Sequence, residues 1–163
     1  VFMRRKDRQI NDPAQMEAVL RRAQCLRLGF VDNGLAYIVP MSFGMQTEGS
    51  KLCLYFHSAP VGRKIDLIER AGVASFEADT DIQVITASEA CEFSSTHACV
   101  MGHGSIEVLR DENEKLRALH ILMEHYTGKA EWEIPGPSLA RVVAIKLTVE
   151  AMTGKASGKF QTE

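Results

Sequence analysis

The first regular pattern in the chain is a helix. Asp12 is a good N-cap, Pro13 suits the first helical position and Gln15 stands three residues after the cap, so a helix is expected to about Ala23. Apolar runs with strand character follow. Cys25 to Val31, Leu35 to Phe43 and Leu52 to His57 read as three strands, the first two joined by the turn Asp32-Asn33-Gly34 and the last two by a polar loop over Thr47 to Lys51. Ile65, Leu67 and Ile68 give a helix from about Gly62 to Ala71 its apolar stripe. Val73 to Ala78 and Ile82 to Ala87 read as two short strands, Ser88 to Thr96 as loop and Ala98 to Leu109 as a long strand. Asp111 caps a helix to about Tyr126, Gly128 to Ser138 is rich in turn residues, and Arg141 to Met152 is a last strand. Six or seven mostly sequential strands with few helices point to an antiparallel barrel with peripheral helices.

Composition narrows the class without changing that picture. At 163 residues the chain suits one domain over 1–163, with 1–11 and 154–163 expected to be flexible ends. A chain of this length can bury roughly 70% of its unfolded surface and needs no disulfide or metal to fold. The formal charge of -2 points to neither nucleic acid nor an anionic membrane. No apolar run reaches the roughly 18 residues of a membrane-spanning helix, and Val1 to Asp12 has no apolar signal core. Cys25, Cys53, Cys91 and Cys99 are therefore read as free thiols of a cytoplasmic protein.

Three stretches could carry chemistry. In His57-Ser58-Ala59-Pro60-Val61-Gly62-Arg63-Lys64 a strand ends, a loop turns and a helix begins at two cations. Cations there oppose the helix dipole at roughly 0.3–1 kcal/mol each, and an anion held by Ser58, Arg63, Lys64 and free backbone N–H groups would reverse that cost. The plain alternative is that both cations point into solvent. Second, Pro40 interrupts Leu35 to Phe43, a run apolar on both faces and so expected to be buried on both. Proline donates nothing to a ladder, so backbone near Pro40 is free either to meet a flat, polar-edged ligand or simply to form an edge strand or bulge. Third, His97, Cys99, Met101 and His103 alternate along a strand and share one face. Their types suit zinc or copper, but i and i+4 positions already lie about 13 Å apart on a strand, which argues for an interface face instead. No dinucleotide fingerprint, phosphate-binding P-loop motif or nucleophile elbow is present. Trp132, in the turn-rich stretch, is either a lid on its own core or a ring stacked near a ligand or partner chain.

The ordered set Met3-Arg4-Arg5-Lys6-Asp7-Arg8, Arg27-Leu28-Gly29-Phe30-Val31-Asp32, Tyr37-Ile38-Val39-Pro40-Met41-Ser42-Phe43-Gly44, Leu54-Tyr55-Phe56-His57-Ser58-Ala59 and Gly62-Arg63-Lys64-Ile65-Asp66-Leu67 resembles the nitroimidazole-resistance (Nim-like) proteins. These belong to the pyridoxamine 5'-phosphate oxidase-like split barrels, and the similarity runs from about Met3 to Lys155. The resemblance implies a mainly β fold, a six-stranded antiparallel split β-barrel that binds FMN between the two chains of a homodimer. By position it implies that His57, Ser58, Arg63 and Lys64 hold the FMN phosphate and that Val39, Pro40, Met41 and Ser42 line the flavin ring. Cys99 falls where a small hydroxyl residue would precede the following strand residues, and His97 where an aromatic or basic one would stand. Together with Trp132, Cys99 completes the expected cofactor contacts. The function so implied is that of a flavin-dependent oxidoreductase, a nitro-group reductase in particular. The alternative is a heme- or flavin-binding protein without turnover, with His57 or His97 as an axial ligand.

Overall fold

The computed structural model describes residues 4–157. Its elements run β1 (Gln9–Ile10), α1 (Pro13–Arg22), β2 (Leu26–Asp32), β3 (Leu35–Met41), β4 (Gly44–Glu48), β5 (Lys51–Ser58), α2 (Arg63–Ala71), β6 (Val73–Ile85), β7 (Ser94–Leu109), α3 (Glu112–Thr127), α4 (Gly136–Ala140) and β8 (Val143–Ser157). Asp12 caps α1 as its sequence predicts, accepting from the Ala14 amide at 2.9 Å, and Asp111 accepts from Asn113 and Glu114 at the start of α3.

The strands form one antiparallel sheet in the order β3-β2-β6-β7-β8-β5-β4, with β1 added beside β8. Its two edges, β3 and β4, are consecutive in the chain and only Ser42 and Phe43 lie between them. The three steps from Met41 to Gly44 span about 11 Å at most, so the sheet must curl until its edges come close. The result is the mainly β, antiparallel split barrel with peripheral helices. Side chains, not a β3–β4 ladder, seal the split. The Tyr126 hydroxyl accepts from the Phe43 amide at 3.1 Å and donates to the Gln24 carbonyl at 3.0 Å, while His125 stacks 4.5 Å from the Phe43 ring.

Inside lie Leu26, Leu28, Phe43, Leu54, Phe56, Val100, Ile145 and Leu147, closed at one side by Val19 and Leu20 of α1 and by Ile65 and Ile68 of α2. A second apolar cluster lies outside the wall, where Ala118 and Ile121 of α3 cover Cys53, Tyr55, Leu109 and Ala144. Glu48 ties this layer together, meeting Lys146 at 2.7 Å, Arg117 at 2.6 Å and the Tyr55 hydroxyl. These partners, Lys146 first, hold its carboxyl down at about 2.

Gly44 marks where α3 touches the wall. A Cβ there would stand 2.5 Å from the Ile121 carbonyl oxygen and 2.7 Å from the Leu122 Cα, both backbone atoms. Gly44→Ala should therefore cost about 1–3 kcal/mol of stability, measured by urea unfolding. An unchanged midpoint would show that α3 slides freely over β4.

Several elements differ from their sequence reading. The sheet counts eight strands when the two-residue β1 is included. The run from Leu35 breaks at Met41 and resumes as β4, which takes in Thr47 and Glu48 that read as loop. Val73 to Ala87 is not two strands: β6 is continuous, with a register shift between Thr80 and Gln83 and Asp81 at φ +55°. β7 begins at Ser94 because the same hairpin keeps pairing beyond the barrel. The ends are more ordered than expected: Gln9 and Ile10 pair with Lys155 and Gly154, and β8 runs to Ser157. Residues 158–163, and Met3 of the resembling segments, lie outside the described residues.

Candidate functional site

The strand-turn-helix segment singled out by sequence lies beside the split. β5 ends with His57 opposite Ala144 and Ser58 opposite Val143, and the chain turns through Gly62, at φ +128°, into α2. No side chain caps α2. Its first-turn N–H groups are of the kind a helix cannot satisfy internally.

Arg63 and Lys64 have different fates. Arg63 is drawn back to the end of β2: its guanidinium meets Asp32 at 2.8 Å and lies 4.4 Å from the centre of the Tyr37 ring. Arg70, two turns further along α2, also reaches Asp32, at 3.0 Å. These arginines, Arg70 first, hold the Asp32 carboxyl below its ordinary value. Lys64 meets no carboxylate among the described residues; its ammonium lies 3.3 Å from the Met41 thioether sulfur. Burial pushes its pKa down. His57 is an exposed residue whose pKa is lowered first by desolvation and then by the charge of Lys64. The structure thus brings together His57, Lys64 and Met41, and through Met41 the step at Ser42. A half-buried cation with only a sulfur beside it, next to open helix N–H groups, is an electrostatic environment that an anion completes.

The other expected residues sort into two groups. Val39 and Pro40 stand on β3, opposite Leu28 and Arg27, so Pro40 does lie on an edge strand. The expectation that this run is buried on both faces does not hold, for Leu35 is 72% and Ile38 63% exposed. Nothing in a single chain covers the outer face of an edge strand. Ser42 is exposed in the step between the edges. Among the described residues no hydrogen bond or ion pair joins Cys99 or Trp132 to this cluster. Cys99 lies mid-strand on β7 between Asp79 and Lys155, its thiol pKa pushed up first by burial. Trp132 folds back beside α3, its indole N–H donating to the Lys129 carbonyl at 2.9 Å and its own carbonyl 3.0 Å from the His120 ring. Asp32 and Tyr37 were not singled out by sequence. The signal for Asp32 was its place before the Asn-Gly turn, where it reads as a turn residue alone. Among the described residues no group of three or more His, Cys, Asp and Glu is placed to hold a metal ion.

A hollow of about 570 Å³ lies elsewhere, on the outer face of the sheet. Arg27, Gly29, Ile38, Ser75, Met101 and His103 line it. It is a trough of small side chains between larger ones, reaching the cofactor-strand candidate only at Ile38. Arg27 is locked there by Glu77 at 2.9 Å and Asp79 at 2.6 Å.

A barrel open along one seam, with a partly buried lysine beside that seam, defines a split-barrel protein. The match of residues 12–156 to the pyridoxamine 5'-phosphate oxidase family model shows that the chain belongs to that family. At 30% identity it superposes on a candidate 5-nitroimidazole antibiotic resistance protein from Bacteroides thetaiotaomicron, with a TM-score of 0.77 over 91% of this chain and 86% of that one. It shares its fold, also at a TM-score of 0.77, with a flavocytochrome from Azotobacter vinelandii (18% identity, 97% of this chain, 73% of that one) and with an FAD- and heme-binding protein from Mycobacterium smegmatis (17%, 96% and 76%). A comparison with curated proteins finds no match. No described helix is long and apolar enough to cross a membrane.

Proposed function

We propose that this protein binds FMN between the two chains of a homodimer and acts as a flavin-dependent oxidoreductase on nitro-aromatic compounds. The observation that carries the reading is Lys64, a partly buried ammonium at a helix start with no carboxylate beside it. Family membership supports a flavin, and a phosphate monoester is the anion that would complete this pocket. Lys64, the Ser58 hydroxyl and the first-turn N–H groups of α2 would hold the phosphate. Backbone of Val39 to Ser42, on the free edge of β3, would line the ring. When bound, the flavin supplies the electron transfer; the chain's residues bind it, orient it and exclude water from one side.

Two observations support a second chain. Val31, Ile38 and Met101 are exposed apolar side chains on the outer face with no cover among the described residues. The hollow on the outer face does not include Lys64 or Ser58, so it does not enclose a flavin whose phosphate is held there. The nitro-aromatic substrate class rests on the likeness to the Bacteroides thetaiotaomicron protein.

Absorption of the purified protein, with and without added FMN, tests the reading. Flavin bands are expected, with FMN rather than FAD released on denaturation, and the chemically reduced protein should be reoxidised by a nitroimidazole. A second reading, a heme-binding protein without turnover, is favoured by the exposed His57 ring, whose pKa is lowered first by desolvation and then by Lys64. A Soret band would select it. A colourless protein that takes up no FMN overturns the first reading.

A further inference from the structure

The β6–β7 hairpin outruns the barrel. The last described pair between β7 and β8 is His97 with Ser157, yet β6 and β7 go on pairing through Gln83–Thr96, Val84–Ser95 and Ile85–Ser94. That is about 10 Å of two-stranded ribbon, followed by the 86–93 loop. The ribbon is apolar on both faces. Val84 sits opposite Ser95, on the outer face that continues through Cys99 to Met101, while Ile85 sits opposite Ser94 on the other face. Val84 is 70% exposed, Ile82 61%, Phe93 51% and Ile85 48%. A lone two-stranded ribbon is marginal in water, and one with four exposed large apolar side chains needs a cover.

Charge limits what that cover is. From Ala71 to Leu109 there is no Lys or Arg, and the arm carries Glu89 and Glu92. Nucleic acid and anionic membrane are the wrong partners for such a segment. The outer face of the arm is continuous with the apolar face of Val31, Ile38 and Met101. A two-fold interface uses one patch on both chains, so an arm projecting from the margin of that patch passes over the partner.

We propose that the 82–96 arm clasps the barrel of a second copy of this chain, so that Val84, Ile85 and Phe93 are buried only in the dimer. The inference rests on the homodimer reading above and adds a contact to it. Hydrogen exchange read by mass spectrometry, together with sedimentation, separates the two. The reference monomer is Met101→Arg, which places a charge in the central patch away from the arm. In the wild type, amides of 82–96 should be protected; in M101R they should exchange within the earliest time points while the barrel strands stay protected. Val84→Asp combined with Phe93→Ser, both surface positions in one chain, should raise the dimer dissociation constant about tenfold or more. A wild-type dimer whose arm exchanges as fast as that of M101R, or a double variant that dimerises as tightly as wild type, overturns the clasp and leaves the dimer reading standing. Arm protection that persists in the M101R monomer gives the cover to the chain's own residues 158–163 and also overturns it. A wild type that sediments as a monomer at every concentration brings down the homodimer reading itself.

Discussion

Replacing Arg63 and Lys64 together by alanine should weaken FMN binding by about 2–4 kcal/mol, about 30- to 1,000-fold in Kd. The two residues should not share that loss equally. Lys64 is the partly buried cation without a carboxylate, and its ammonium would gain the full benefit of a phosphate oxygen. Arg63 must first leave Asp32 and the Tyr37 ring, so its own contribution is offset by what it gives up. Lys64→Ala alone should therefore account for most of the effect. Fluorescence titration with FMN measures it, and riboflavin, which lacks the phosphate, should bind wild type and variant alike. A double variant with unchanged FMN affinity would remove the phosphate assignment. A second readout is the His57 titration. Its pKa lies below the ordinary value because of desolvation and then of Lys64, so Lys64→Ala should move it upward in NMR, as should a bound dianion. The sign for stability is that of a depressed base. The neutral-ring contribution is complete above the unfolded value and is lost as pH falls through the folded one.

Met101→Arg should cost dimer and cofactor together. Met101 stands at the centre of the outer face, 50% exposed, opposite Glu77 on one side and Thr153 on the other, and it lines the large hollow. A guanidinium there is tolerated by a monomer in water. In a dimer it would be desolvated with Glu77 already engaged by Arg27, a cost of several kcal/mol against an interface of ordinary size. The expected outcome is a folded monomer by sizing and circular dichroism, with FMN affinity reduced at least a hundredfold. A monomeric variant that keeps full FMN affinity would place the site within one chain and defeat the shared-site reading.

Much of this architecture was legible in the residues because its signals are local. Asp12-Pro13 and Asp111 announce their helices, Asn33-Gly34 its hairpin, and the alternation of Ala98, Val100 and Ile106 the inner wall of β7. What stayed hidden depends on partners distant in sequence. Nothing near Arg63 says that Asp32, 31 positions earlier, takes its charge, so the two cations looked equivalent. Sequence also gave β3 two buried faces, because Leu35 and Ile38 are apolar without regard to whether the covering surface belongs to the same chain. The bulge at Thr80 to Gln83 broke the apolar pattern and made one strand look like two. Trp132 drew attention as the only tryptophan, yet its indole is satisfied by its own loop.

The seam at Ser42 and Phe43 separates two kinds of inheritance within one barrel. Around most of the wall, closure is written in peptide groups, which every residue other than proline supplies whatever its side chain. Substitution can drift there without unmaking a single rung. At the seam, closure is written in one phenolic oxygen, which takes a hydrogen from Phe43 and gives one to Gln24. That contact depends on residue identity at a helix end, 83 positions along the chain from the amide it meets. Descendants of this chain can thus alter how the barrel shuts, and how widely its binding edge stands open, by changing Tyr126 while every strand keeps its register.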